Sequence, residues 1–181
     1  GCPGGGRQVH RTGVATEGED GALGQGGKLE QVIPRGRLAH ELLEAELKRI
    51  QRVGVEFVSA CKVDAAKFAE LRQGNDAVVV ATGGTKSRFF PWEGAEHLTM
   101  GLEYLKAVNR GEKPVTGRHV VVIGAGNSGM DTCRGAYEMG AESVVAVDVQ
   151  KPAAFADEIE YIEGLGGKLV WPFFTNKITP A

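Results

Sequence analysis

The tightest constraint on how this chain folds is the run Val120-Val121-Val122-Ile123-Gly124-Ala125-Gly126-Asn127-Ser128-Gly129. An apolar strand flows into three glycines at G-x-G-x-x-G spacing, and a helical pattern follows. A second apolar run, Val144-Val145-Ala146-Val147, then ends in Asp148. Each part has a mechanical role. Gly124 lets the chain turn sharply off the strand, Gly126 lets backbone approach a pyrophosphate, and Gly129 lets the helix pack closely on the strand. The amino end of that helix, with Asn127 and Ser128 in its first turn, offers unpaired N–H groups and a positive dipole end to phosphate. An acid about 20 residues beyond the glycines accepts the adenosine ribose hydroxyls, and Asp148 stands there. Its charge would repel a 2′-phosphate, which favours NADH over NADPH. The alternative is a relic of such a fold that keeps the turn and holds no nucleotide.

Composition narrows the classes. The chain has 181 residues, with 21 Lys plus Arg against 23 Asp plus Glu and a net charge of −2. No block of like charge suggests a nucleic-acid partner. No apolar stretch approaches the ~20 residues of a membrane helix, and no signal-peptide core is visible at the N-terminus, so neither membrane nor export is expected and the cytoplasm is the default. Cys2, Cys61 and Cys133 are too few and too scattered for a disulfide framework or an iron–sulfur ligand set. Cys133, in the helix after the glycine turn, reads as a buried structural thiol. His10, His40, His97 and His119 show no ligand spacing, so no metal site is expected.

Residues 1–27 are rich in glycine and poor in apolar side chains, and read as an irregular loop. From Leu38 the pattern turns helical, with Leu38, Leu42, Leu43, Leu47 and Ile50 on one face and Gly54 as terminator. A strand at 55–58 follows, extended or followed by Cys61-Lys62-Val63. Then come a short helix over 66–71 and an apolar strand, Ala77-Val78-Val79-Val80-Ala81, ending at Thr82-Gly83-Gly84. Leu98, Leu102, Leu105 and Val108 repeat at helical spacing up to Gly111. The fingerprint strand begins near His119, and its helix runs to about Met139 with Gly140 as terminator. A helix over 155–165 and a strand at 168–170 complete the pattern. This alternation predicts an α/β fold with a Rossmann-like, doubly wound parallel sheet.

Several separated motifs resemble the glutamate synthase small-subunit family of NAD(P)H-dependent flavoproteins, within the pyridine nucleotide oxidoreductase class. They are Gly26-Gly27-Lys28-Leu29 with Ile33-Pro34-Arg35-Gly36-Arg37-Leu38, the stretch from Glu46 to Phe57, Asp76 to Gly83, and Gly124 to Arg134. The resemblance spans roughly residues 24–181. It implies two interleaved Rossmann-type domains, one for FAD and one for NAD(P)H. On that pattern residues 28–90 are part of the FAD domain, 91–117 a connecting helix, and 118–181 part of the NAD(P)H domain. Gly26, Gly27, Arg37, Val63, Ala81, Thr82 and Gly83 match positions near FAD. Gly124, Gly126, Asn127, Ser128 and Gly129 match the nicotinamide-cofactor turn.

Three departures from the pattern shape the expectation. The family's own FAD fingerprint is not found in residues 1–22. Its last nicotinamide-domain strands and flavin-contacting Gly-Asp segment are not found after Trp171-Pro172-Phe173-Phe174. Both imply a piece of a longer or split flavoprotein. The arginines that NADPH-using members carry after the second strand are replaced by Asp148-Val149-Gln150-Lys151-Pro152, which strengthens NADH and leaves NADPH as the lesser option through Lys151.

The expected function is a flavin-dependent NAD(P)H oxidoreductase subunit with NADH (or NADPH) and FAD as cofactors. Electrons would leave to a partner, either an iron–sulfur protein or a larger catalytic subunit of the glutamate synthase type. The cofactors perform such chemistry, so no side chain is assigned as an acid–base catalyst. Asp131 and Arg134, at i and i+3, read as a helix-surface ion pair, and Glu158 and Glu160 as solvated positions. Two alternatives stay open: a non-catalytic Rossmann-fold assembly subunit, and a fragment of a flavin-free NAD-dependent dehydrogenase.

Overall fold

A computed structural model of the protein describes residues 11–14, 37–58, 61–82, 87 and 89–179. The chain divides into two compact units, residues 1–83 and 84–181.

In the first unit, strand β1 (Arg11–Val14) pairs in parallel with β2 (Val55–Val58), in register from Arg11 against Val55 to Val14 against Val58. Between them in sequence lies helix α1 (His40–Arg52). The presence of β1 corrects the reading of residues 1–27 as wholly irregular. Arg-Thr-Gly-Val carries no strand periodicity, and its extended form depends on a ladder supplied some 40 residues away. Helix α1 matches its dipole, with Glu41 in the first turn and Arg49 and Arg52 in the last. Its apolar face is only partly used: Leu43 is buried, Leu47 half-buried, and Leu42 and Ile50 exposed. Gly54, at φ +86°, ends the helix by donating its N–H to the Gln51 carbonyl at 2.9 Å.

Helix α2 (Ala65–Gly74) begins where Asp64 Oδ1 accepts from the Lys67 N–H at 2.8 Å, an N-cap interaction. Two further expectations need correction. Residues 61–64 do not extend β2, and Ala77-Val78-Val79-Val80-Ala81 does not form a strand, with Val79 87% exposed. A strand exists only when a neighbour completes its hydrogen bonds, and no described residue pairs with 77–82.

The second unit holds the Rossmann-like architecture. Strands β3 (His119–Ile123), β4 (Ser143–Val147) and β5 (Lys168–Val170) lie side by side in that order, all parallel. His119 to Ile123 face Ser143 to Val147, and Val145 to Val147 face Lys168 to Val170. Helix α4 (Asn127–Glu138) links β3 to β4, and α5 (Ala156–Gly164) links β4 to β5; helix α3 (Gly101–Asn109) precedes them and packs on α4. Parallel neighbours need such crossovers, which is why strand and helix alternate in sequence.

The core is one cluster of Val122, Ala125, Met130, Cys133, Ala136, Ala141, Val144, Ala146 and Ile162. Alternate residues of β3 and β4 point into it, Val122 on one and Val144 and Ala146 on the other. The alanines keep helix and sheet close. Tyr104 of α3 fastens the connecting segment, its hydroxyl 2.7 Å from Thr116 Oγ1 and donating to the Gly135 carbonyl at 3.4 Å. Among the described residues no helix is long and apolar enough to cross a membrane.

Met130 is fully buried, so Met130→Ala should lower unfolding free energy by ~2–5 kcal/mol through lost burial and a cavity. Leu42→Ala, at an exposed position, should change it by less than ~0.5 kcal/mol. Denaturant titration of each variant tests the core assignment.

Candidate dinucleotide-binding site

The site is built where β3 ends. Gly124 turns the chain at φ +112°, a conformation that side chains with Cβ rarely adopt, while its N–H donates to the Val147 carbonyl at 2.8 Å. A Cβ on Gly129 would run into the Gly124 carbonyl oxygen, so this glycine is required by the closeness of α4 to β3. Gly126 differs: a Cβ there meets nothing within 4 Å. Protein packing does not demand a glycine at 126, and a bare backbone there suits a ligand that must come close.

Helix α4 starts at Asn127 with no side-chain cap and no acid in its first turn. Its leading N–H groups and positive dipole end are therefore available to an anion. Asn127 itself does structural duty, its Oδ1 accepting from the Phe155 N–H at 2.9 Å and tying the turn to the start of α5. Ser128 is exposed at the rim, and its carbonyl accepts from Thr132 Oγ1 at 2.8 Å.

Asp148, at the end of β4, lies beside the glycine turn. Its Oδ2 accepts from the Ala125 N–H at 2.7 Å and its Oδ1 from the Gln150 N–H at 3.1 Å. Spacing alone placed an acid near the turn; the clamp on Ala125 was not legible, because it depends on the β3–β4 register. The Ala125 carbonyl in turn accepts from the N–H groups of Ala153 (3.1 Å) and Ala154 (3.3 Å), so the loop after β4 wraps the turn.

An open groove of about 850 Å³ starts at turn residues 124 and 126–129. It runs along β3 and is closed by Phe89, Phe90, Trp92 and residues 97–102. No residue of β4 or β5 lines it.

The residues matched to FAD stand in the other unit. Arg37, Ala81 and Thr82 are exposed and Val63 is half-buried, while Gly26, Gly27 and Gly83 lie outside the described residues. Among the described residues no group of three His, Cys, Asp or Glu side chains could hold a metal ion.

Arg134 on α4 and Glu158 on α5 are more structural than their sequence suggested. Arg134 reaches Glu158 on α5 at 3.8 Å and lies 4.0 Å over the Tyr161 ring. With their side chains only 17% and 15% exposed, Arg134 and Glu158 tie α4 to α5, and Glu158 is not a solvated position. Cys133 is fully buried, and that burial pushes its thiol from 9.0 up to about 12.

Residues 7–163 match the family model described as pyridine nucleotide-disulphide oxidoreductase. The chain belongs to that family, whose members bind FAD and a nicotinamide dinucleotide. It is 30% identical over 164 residues to the glutamate synthase [NADPH] small chain of Azospirillum brasilense, covering 81% of this chain and 34% of that one. It is 29% identical over 165 residues to the NAD-dependent dihydropyrimidine dehydrogenase subunit PreT of Salmonella typhimurium, covering 85% and 40%. The chain thus spans well under half the length of these relatives. A solved structure of 2-naphthoyl-CoA reductase with 2-naphthoyl-CoA shares the fold, with a TM-score of 0.66 at 20% identity over 96% of this chain and 26% of that one.

Gly129→Ala should destabilise the protein by roughly 1–3 kcal/mol, because the helix must shift off the Gly124 carbonyl; thermal unfolding reads this directly. The raised Cys133 thiol makes a separate prediction. Its proton is held more tightly folded than unfolded, so stability is full below pH 9 and falls as pH rises from about 9 toward about 12. Cys133→Ala should flatten that decline, measured as the slope of unfolding free energy against pH.

Proposed function

We propose that this chain is the nicotinamide-nucleotide-binding part of a flavin-dependent oxidoreductase subunit. Such a subunit takes a hydride from NADH to FAD and passes the electrons to a partner, an iron–sulfur protein or a larger catalytic subunit of the glutamate synthase type. The observation that carries this reading is the glycine turn, with its uncapped helix and with Asp148 held beside it. Membership of the family supports the flavin, and relatives named as subunits support the partner. The same reading places the protein in the cytoplasm, where NADH is supplied.

The bound dinucleotide supplies the hydride, and the chain's own residues position it. The backbone of 126–128 and the α4 dipole would hold the pyrophosphate. Asp148, pinned through both carboxylate oxygens by N–H groups of Ala125 and Gln150, would accept from the adenosine ribose hydroxyls. A diol donates to that carboxylate, whereas a 2′-phosphate meets a like charge. The two relatives above are named for different nicotinamide cofactors, so family membership alone does not fix the preference, and Asp148 is the residue of this chain that would set it. Lys151, exposed three residues on, is the group through which NADPH would be tolerated.

Calorimetric titration tests the reading: NADH should bind at least tenfold more tightly than NADPH, about 1.4 kcal/mol. Asp148→Asn retains an acceptor for the Ala125 N–H while removing the charge, and should narrow that ratio to near unity. Binding of neither nucleotide would sink the proposal, and an unchanged ratio in the variant would remove Asp148 from cofactor choice.

A further inference from the structure

The segment that starts at Asp148 leaves the glycine turn and returns to it. Ala125 holds both ends with its backbone. Its N–H donates to Asp148 Oδ2 at 2.7 Å, and its carbonyl accepts from the N–H groups of Ala153 at 3.1 Å and Ala154 at 3.3 Å. One residue further on, the Phe155 N–H donates to Asn127 Oδ1 at 2.9 Å. Three consecutive N–H groups, 153 to 155, are thus directed at the turn. Between the two ends the chain makes an excursion over 149–152, with Val149, Gln150 and Lys151 exposed.

The ties differ at their turn end. Those through Ala125 are made by backbone, and the one to Phe155 by a side chain. Phe155 is the N-cap of α5, so its N–H is a donor that the helix itself leaves unpaired. Asn127 satisfies it from the first position of another helix, α4. A half-buried amide therefore joins the pyrophosphate end of the turn to the far end of the loop that carries Lys151.

Resting on the dinucleotide reading above, we propose that Asn127 is a positioning residue for cofactor choice, which acts by holding Phe155 and so fixing the 149–152 excursion. A loop closed at both ends samples fewer conformations than one released at an end. Released, it would let Lys151 swing toward a 2′-phosphate and offset the repulsion from Asp148. Asp148 supplies the discrimination, and Asn127 withholds the lysine that would relieve it.

Calorimetric titration of the full chain with NADH and with NADPH reads this role. Asn127→Ala should tighten NADPH relative to NADH by about three- to tenfold, the scale of one hydrogen bond. Asn127→Asp retains an acceptor oxygen for Phe155 and should keep the ratio of the unsubstituted protein, while its added charge weakens both nucleotides. Adding Lys151→Ala to Asn127→Ala should cancel the gain of NADPH. Hydrogen exchange of the unliganded, unsubstituted protein needs no variant to fold: the Phe155 amide should exchange at least about tenfold more slowly than that of Lys151. A ratio unchanged by Asn127→Ala, or narrowed as much by Asn127→Asp, would overturn the role of Asn127, as would equal exchange at Phe155 and Lys151. A gain of NADPH that survives Lys151→Ala would overturn the route through that lysine. Failure of the unsubstituted protein to bind either nucleotide would instead overturn the dinucleotide reading itself.

Discussion

The second unit depends on how closely helix α4 approaches strand β3 at the glycine turn. The limit is set by one contact, Gly129 against the Gly124 carbonyl, where no Cβ fits. That approach lets Val122, Ala125, Met130, Cys133 and Ala136 share one dry core with Val144 and Ala146 of β4. It also leaves the first turn of α4 facing out of the sheet end with its N–H groups uncapped. Tight packing and a row of uncapped N–H groups thus come from the same geometry. A looser helix would lose both.

Asp148 extends this coupling to specificity. Its carboxylate accepts from two backbone N–H groups, and charge-assisted bonds of this kind are roughly twice as strong as neutral ones. The Ala125 bond joins the end of β4 to the turn after β3, and Asn127 joins the turn to α5 at Phe155. The acid proposed to choose the cofactor is therefore also a strut of the glycine turn. Its side chain is already ordered, so the ribose contact proposed for it would cost little further entropy. Arg134, Glu158 and Tyr161 brace the same helices from the far end of α4.

Much of the second unit was legible in the sequence because its signals are local. The glycine spacing marks the turn, Gly140 at φ +98° ends α4, and the apolar runs at 120–123 and 144–147 are strands. Helix α1 and its Gly54 stop were equally plain. Strand β1 escaped notice because Arg-Thr-Gly-Val has no intrinsic strand signal and acquires its form from β2. The reverse error fell on Ala77-Val78-Val79-Val80-Ala81, whose strand-like composition finds no ladder among the described residues. Both misjudgements have one origin: pairing in parallel sheets is non-local, so composition reports the capacity to be a strand and never the partner.

The candidate site divides in the same way. Gly124, Gly126, Gly129 and Asp148 could be named from spacing, because each role follows from backbone conformation or chain distance along one strand–turn–helix–strand unit. The groove beside β3 could not, since Phe89, Phe90 and Trp92 lie more than thirty residues before the turn and carry no periodic relation to it. By itself the sequence determined the parallel α/β class, the glycine turn after β3 and the acid at the end of β4. Only the tertiary structure decided that Asp148 clamps Ala125, that Glu158 is drawn in by Arg134, and that an aromatic wall stands beside the turn. Local spacing governs torsion angles and helix ends; which distant surfaces meet is settled by burial of the core, and that is a property of the whole unit.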